Sequence, residues 1–202
     1  DCMSNLRQLG VAIVTYRADN RGRNPPWLSY LYPEKNDGRP AYIDDKRIFV
    51  CRSDEKRGMG PVRPDNETLY SEAIDNKSVS SRHDLQNKEI EANSYLYEFN
   101  AARCSWGSSK PYYKDLNGDG VVSWGEVKEG QLAMGDDGIP YSSSRLPIVR
   151  CFHHMRYGRI SAKKSGDKIQ LEAITLNVAY AGNVTMAPLT WEESVEPGEE
   201  RQ

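Results

Sequence analysis

Cys2, Leu6, Leu9, Ile13 and Tyr16 recur at steps of four and three, while Arg7, Gln8, Arg17 and Asp19 fall elsewhere, which predicts an amphipathic helix over residues 1–20. The run Asn20-Arg21-Gly22-Arg23-Asn24-Pro25-Pro26 ends it: Gly22 can turn left-handed after the last turn, and the two prolines cannot continue a helix. Because the apolar stripe is in phase from the first residues, this helix reads as the lower half of a longer one whose upper half is missing. Trp27 to Tyr32 suits a short helical turn, and Arg47 to Cys51 a strand or buried turn, both capping the first helix. Residues 93–100 alternate as a strand, with Tyr95, Tyr97 and Phe99 on one face. Late in the chain, 168–175 and 176–181 read as two strands, and Gly182-Asn183 turns the chain into 184–187 as a hairpin, giving C-terminal β-strands over 168–187. Residues 55–92 form a polar insertion and 192–202 a frayed tail. The expected fold class is α+β, a single domain spanning 1–202 with an N-terminal helix and an antiparallel sheet.

Composition narrows this. The hydrophobic share is 38% and the charged share 28%, with 16 Gly and 11 Pro, so the core is modest and the loops are long. Lys plus Arg (27) nearly balances Asp plus Glu (29), leaving no basic field to gather nucleic acid. No stretch has the length and apolarity of a membrane span.

The motif with specific chemistry lies at residues 115–126, within a calcium-loop segment of 110–134. Asp115, Asn117 and Asp119 stand at positions 1, 3 and 5 of a twelve-residue calcium loop, with Gly120 at the sharp turn of position 6. Val121 offers its carbonyl, Ser123 acts directly or through water, and Glu126 closes the shell with both oxygens. Ca²⁺ takes six to eight oxygens at about 2.3–2.6 Å, and this spacing wraps them round one centre. The bland alternative is an empty Asp/Asn/Gly turn. Lys110 to Lys114 makes a poor incoming helix, whereas Ser123 to Met134 suits a short outgoing one. The expected role is therefore a structural staple with affinity on the order of 10⁻⁴–10⁻³ M rather than a sensor.

Four cysteines, Cys2, Cys51, Cys104 and Cys151, are spread far apart, with no Cys-x-x-Cys pair of the kind that builds zinc sites. An even count suits two disulfides, Cys2 with Cys51 and Cys104 with Cys151, each closing a loop of about 50 residues and stabilising by roughly 3–4 kcal/mol in an oxidising compartment. Four buried thiols are the alternative. His153 and His154 adjoin Cys151 but are too near it in sequence to face it well, and no hydrolase, P-loop or dinucleotide motif is present, so no catalytic residue is expected. The tyrosines of 95–97 and the tryptophans suit half-buried packing better than a sugar-binding platform.

The opening run Cys2-Met-Ser-Asn-Leu-Arg-Gln-Leu-Gly10, then Tyr16 to Asn20, Asn24-Pro-Pro-Trp-Leu28 and Ile48-Phe-Val-Cys-Arg-Ser-Asp54, resembles the bacterial type II secretion pseudopilins. It looks closest to the prepilin-type, processing-associated proteins named for a His-x9-Asp-Gly motif. Residues 93–97, 146–151 and 176–184 are similar to later landmarks of that group, while 55–92 and the calcium segment are less typical. The family's Asp-Gly-His-Val ending stands here as Gly182-Asn183-Val184, and His154 lies too far upstream for the named spacing. The resemblance implies a type IV pilin-like fold and a cleaved leader. It also implies a hydrophobic half-helix anchoring the subunit in the inner membrane, an extracytoplasmic location in the envelope, and other pseudopilin subunits as filament partners. The rival expectation is a surface-anchored, calcium-dependent module binding glycan or an envelope protein.

Overall fold

The computed structural model describes residues 2–34, 38–63, 73, 86–105, 114–135, 140–158 and 172–189. Helix α1, Cys2–Asp19, forms as the periodicity predicts and buries Cys2, Leu6, Leu9, Gly10, Ala12 and Ile13. It ends where expected. Gly22, at φ +81°, returns its N–H to the Arg17 carbonyl at 2.8 Å, and Asn20 N–H reaches the Tyr16 carbonyl at 2.9 Å, satisfying last-turn acceptors that would otherwise be orphaned. Two 3₁₀ turns, Leu28–Leu31 and Lys46–Phe49, pack beside α1 and bury Leu28, Leu31, Ile48 and Phe49. The alternative of a strand at 47–51 is not realised.

Four antiparallel strands form one sheet in chain order: β1, Leu96–Tyr97; β2, Pro147–Gly158; β3, Glu172–Ala179; and β4, Val184–Pro188. The expected strand at 93–100 shrinks to two paired residues, but its alternation holds. Tyr95, Tyr97 and Phe99 enter the main core with α1, and Leu96 enters a second cluster with Trp27, Trp124, Val127 and Phe152. The two strands expected at 168–175 and 176–181 are a single strand, because β3 runs unbroken to Ala179, with the turn only beyond it; 168–171 lie outside the described residues. The turn at Gly182-Asn183 forms, with Val178 paired to Val184 and Ala179 N–H bonded to the Asn183 carbonyl at 2.8 Å. Most of the 55–92 insertion and all of the 192–202 tail also lie outside the described residues.

Strand β2 carries an irregularity that matters for chemistry. Cys151 pairs with Leu176 and Arg156 with Ile174, so β2 advances five residues while β3 advances two. Residues 152–155, which include both histidines, stand against the single β3 residue Thr175 and form a bulge, and a bulge redirects side chains that regular pleating would alternate across the sheet.

Helix and sheet meet at Gly10. A Cβ there would lie 2.7 Å from the Gly182 carbonyl oxygen and 3.0 Å from Val178 Cγ1. Alanine is the better helix former by about 1 kcal/mol. The opposing atom, however, is turn backbone that cannot swing aside, so strain prevails. Gly10→Ala is expected to destabilise by about 1–3 kcal/mol, read as a lower urea midpoint at unchanged m-value.

Candidate functional site

Two groups of ligand-type side chains stand out, one of oxygens and one of sulfur and nitrogen. In the first, residues 115–126 are wound by their own side chains. Asp115 Oδ1 accepts the N–H of Gly118 at 2.6 Å and of Asp119 at 3.2 Å, and its Oδ2 accepts that of Gly120 at 2.6 Å. Asn117 Oδ1 takes the Asp119 N–H and Asp119 Oδ1 the Val121 N–H, each at 2.9 Å. Gly118 and Gly120 sit at φ +76° and +82°, which their lack of a Cβ allows.

Helix α2, Trp124–Met134, starts at the end of this loop with Ser123 as its N-cap in a capping box with Glu126. The outgoing helix is as expected. Glu126 Oε2 accepts the Ser123 N–H and hydroxyl, both at 2.8 Å, while Oε1 reaches back to the N–H groups of Leu116 at 2.8 Å and Asn117 at 3.2 Å. Glu126 thus ties the start of α2 back to the start of the loop. Among the described residues, however, the carboxylates of Asp115, Asp119 and Glu126 do not gather within 4.8 Å of one another.

The second group does gather. Cys2 Sγ, Cys51 Sγ, Cys151 Sγ and one ring nitrogen of His154 all lie within 4.8 Å of one another. Cys2 and Cys151 sulfurs are 3.5 Å apart, and Cys51 Sγ is 3.2 Å from His154 Nε2. None of the four cysteines is in a disulfide, which departs from the two expected bridges. Cys104 lies in the second core cluster, whereas Cys2, Cys51 and Cys151 share the main one, so the pairing of Cys104 with Cys151 has no counterpart in the fold. His154 does face a thiol, but that of Cys51, about a hundred residues away, because the β2 bulge turns it there.

The polar surroundings hold the cluster. Asp54 Oδ2 accepts the Ser94 hydroxyl and the Gly58 N–H, each at 2.7 Å, and Oδ1 accepts the Lys56 N–H at 2.9 Å. Ser94 Oγ in turn accepts the Cys51 N–H at 3.0 Å, fixing the 51–54 turn. His153 Nε2 stands 3.5 Å from Asp54 Oδ2, in ion-pair range when the ring is protonated. Asn5 Nδ2 donates to the Tyr95 hydroxyl at 3.5 Å, and that hydroxyl lies 3.7 Å from Cys2 Sγ. Hydrogen bonds from Cys151 first, then from Cys2, with the Ser53 N–H and His154 beside them, hold the Cys51 thiol far below its ordinary value. Hydrogen bonding to Cys2 and Cys51, together with burial, pushes Cys151 well above its own. At Cys2, hydrogen bonding with Cys151 pulls down, but hydrogen bonding with Cys51 and burial outweigh it and raise the thiol to about 11.

Tyr95, Tyr97, Trp27 and Trp124 are buried, so these aromatics pack the core and offer no exposed platform for a sugar. Among the described residues no helix is long and apolar enough to cross a membrane. The fold and its sites define an α+β domain, a helix laid on a four-stranded antiparallel sheet, with a wound acidic loop and a buried thiol and imidazole cluster. No family model, curated protein or solved structure matches the chain.

Proposed function

We propose that this chain is a structural subunit of a bacterial envelope filament of the pseudopilin kind, with a pilin-like fold whose 115–126 loop takes up Ca²⁺ as a staple. The observation that carries this reading is the outer face of α1. While its inner face is sealed against the sheet, Met3, Val11 and Val14 remain exposed, Val11 at 67%, and fall on one stripe of the helix with Arg7 between them. A helix used only to cover a sheet has no need of such a stripe, whereas subunits stacking helix against helix bury it. The partner is a second copy of the chain or a sister subunit, and the site of action is the cell envelope.

Photo-crosslinking tests the assembly. With a photoreactive residue replacing Val11 in the gene product as the native cell makes it, the expected result is a ladder at multiples of the subunit mass. Absence of any ladder, with the protein present at wild-type level, sinks the filament reading.

Calcium is tested separately. Thermal unfolding of the 202-residue chain is expected to shift upward in millimolar Ca²⁺ relative to chelator by RT ln(1 + [Ca²⁺]/Kd), which is about 1.4 kcal/mol at ten times Kd. Glu126→Gln keeps the capping box, since Gln serves at N3, but removes a charged ligand. It should therefore lose the calcium response, while melting somewhat lower in chelator because its amide nitrogen cannot accept the Leu116 and Asn117 N–H groups; retention of the full response would refute the loop's role.

A further inference from the structure

We propose that Cys2, Cys51, Cys151 and His154 form a closed, four-coordinate site for a zinc-class metal ion. The distances carry the argument. A tetrahedral Zn²⁺ with Zn–S of about 2.3 Å and Zn–N of about 2.0–2.1 Å sets its ligand atoms about 3.5–3.8 Å apart. The group here shows 3.5 Å between Cys2 and Cys151 and 3.2 Å between Cys51 and His154, with no pair beyond 4.8 Å. Shifts of no more than about 1 Å complete the tetrahedron.

Ligand type selects the ion. Thiolate and imidazole favour Zn²⁺ and its soft neighbours over Ca²⁺ and Mg²⁺, so this centre and the 115–126 loop do not compete for one metal. All four positions come from protein, which leaves none for a substrate and makes the site structural. Three thiolates and a neutral imidazole around a dication leave one net negative charge. Groups to meet it stand ready: the Ser53 N–H at Cys51, and the Tyr95 hydroxyl at Cys2, freed to donate because Asn5 donates to it. His154 would ligate through Nε2 with its proton on Nδ1.

Cysteine ligates as thiolate, so binding releases thiol protons to solvent with no change of oxidation state, and affinity should fall as pH falls. The ion has a route, since a surface cleft of about 870 Å³ is lined by Asn5, Gln8, Val50, Cys51, Arg52 and Asp54. Its consequence is mechanical. It would tie the start of α1, the 51–54 turn and β2, three segments from across the chain, at one point under the sheet.

The test uses the reduced, metal-free 202-residue chain titrated with Co²⁺ and then Zn²⁺. We expect one equivalent of Co²⁺ to give the intense visible bands of tetrahedral coordination with thiolate-to-metal charge transfer, and Zn²⁺ to bleach them. His154→Gln and Cys51→Ser should weaken Co²⁺ by more than the roughly 10–100-fold that outer partners contribute. Cys104→Ser and Glu126→Gln should leave the spectrum unchanged. Should the cysteine variant fail to fold, alkylation of the wild-type thiols in mild denaturant tests the same point: Zn²⁺ should slow Cys2, Cys51 and Cys151 more than it slows Cys104. No tetrahedral spectrum, equal loss in Cys104→Ser, or a Cys2–Cys151 disulfide and no metal in protein purified from its native cell without reductant, each overturns the proposal.

Discussion

Glu98→Gln is expected to lower stability by about 3–5 kcal/mol, a large share of the roughly 5–15 kcal/mol that holds an ordinary domain together. Glu98, Lys128 and Arg150 are each almost wholly shielded from water, with Lys128 Nζ 3.3 Å from one carboxylate oxygen and Arg150 Nη1 3.4 Å from the other. The three come from different places: Glu98 follows β1, Lys128 lies in α2, and Arg150 is the β2 residue paired with Leu96. Removing the carboxylate charge leaves two buried cations facing each other. Arg150 keeps the Leu189 carbonyl at 2.7 Å and the Phe152 ring, but neither carries a full negative charge. Neutralising a cation as well should repair much of the loss, so Glu98→Gln with Lys128→Met should be more stable than Glu98→Gln alone. Denaturant midpoints of the two variants decide this; equal or lower stability of the double variant would show that the triad is not an electrostatic unit.

Trp27→Ala should cost a similar amount, about 3–5 kcal/mol, by emptying the centre of the second core cluster. Trp27 is fully buried against residues that link α2, β1 and β2, and its neighbours are sewn down by backbone. Pro26 accepts the Ala101 N–H at 2.8 Å, and Pro25 accepts the Tyr97 hydroxyl at 2.9 Å, so the cavity cannot collapse easily. The companion Trp27→Phe separates volume from polarity. Among the described residues nothing accepts from the indole N–H, and a buried, unsatisfied donor costs about 1–3 kcal/mol. Phenylalanine removes that donor while filling most of the space, so it should cost less than half as much as alanine. Thermal or urea unfolding of both variants measures the ratio, and a Phe variant as unstable as Ala would mean that the N–H is bonded after all.

Residues 2–19 and 115–126 are legible in the sequence because their information is local. A helix writes its buried face at steps of three and four, and a loop wound by its own side chains writes its Asp and Asn oxygens at alternate positions. The cysteine cluster is not legible in this way. Spacing along the chain pairs the four cysteines with their sequence neighbours and argues against zinc for want of a Cys-x-x-Cys pair. It also sets His154 aside, because the cysteine nearest to it in sequence is not the one it faces. A hint is nonetheless present in the two histidines beside Cys151.

The sequence by itself determined that α1 exists and where it stops, that 115–126 is wound with α2 behind it, and that the chain turns at Gly182. Each rests on hydrogen bonds and side-chain contacts between residues a few positions apart, whose energies depend on local spacing alone. Only the tertiary structure decided that Cys2, Cys51, Cys151 and His154 meet, that Cys104 stands apart, and that Glu98 pairs with both Lys128 and Arg150. Those contacts depend on strand order, on the register of β2 against β3 and on a bulge that redirects His154. A shift of one residue in that register would send the same side chains to the opposite face, and no local pattern fixes it.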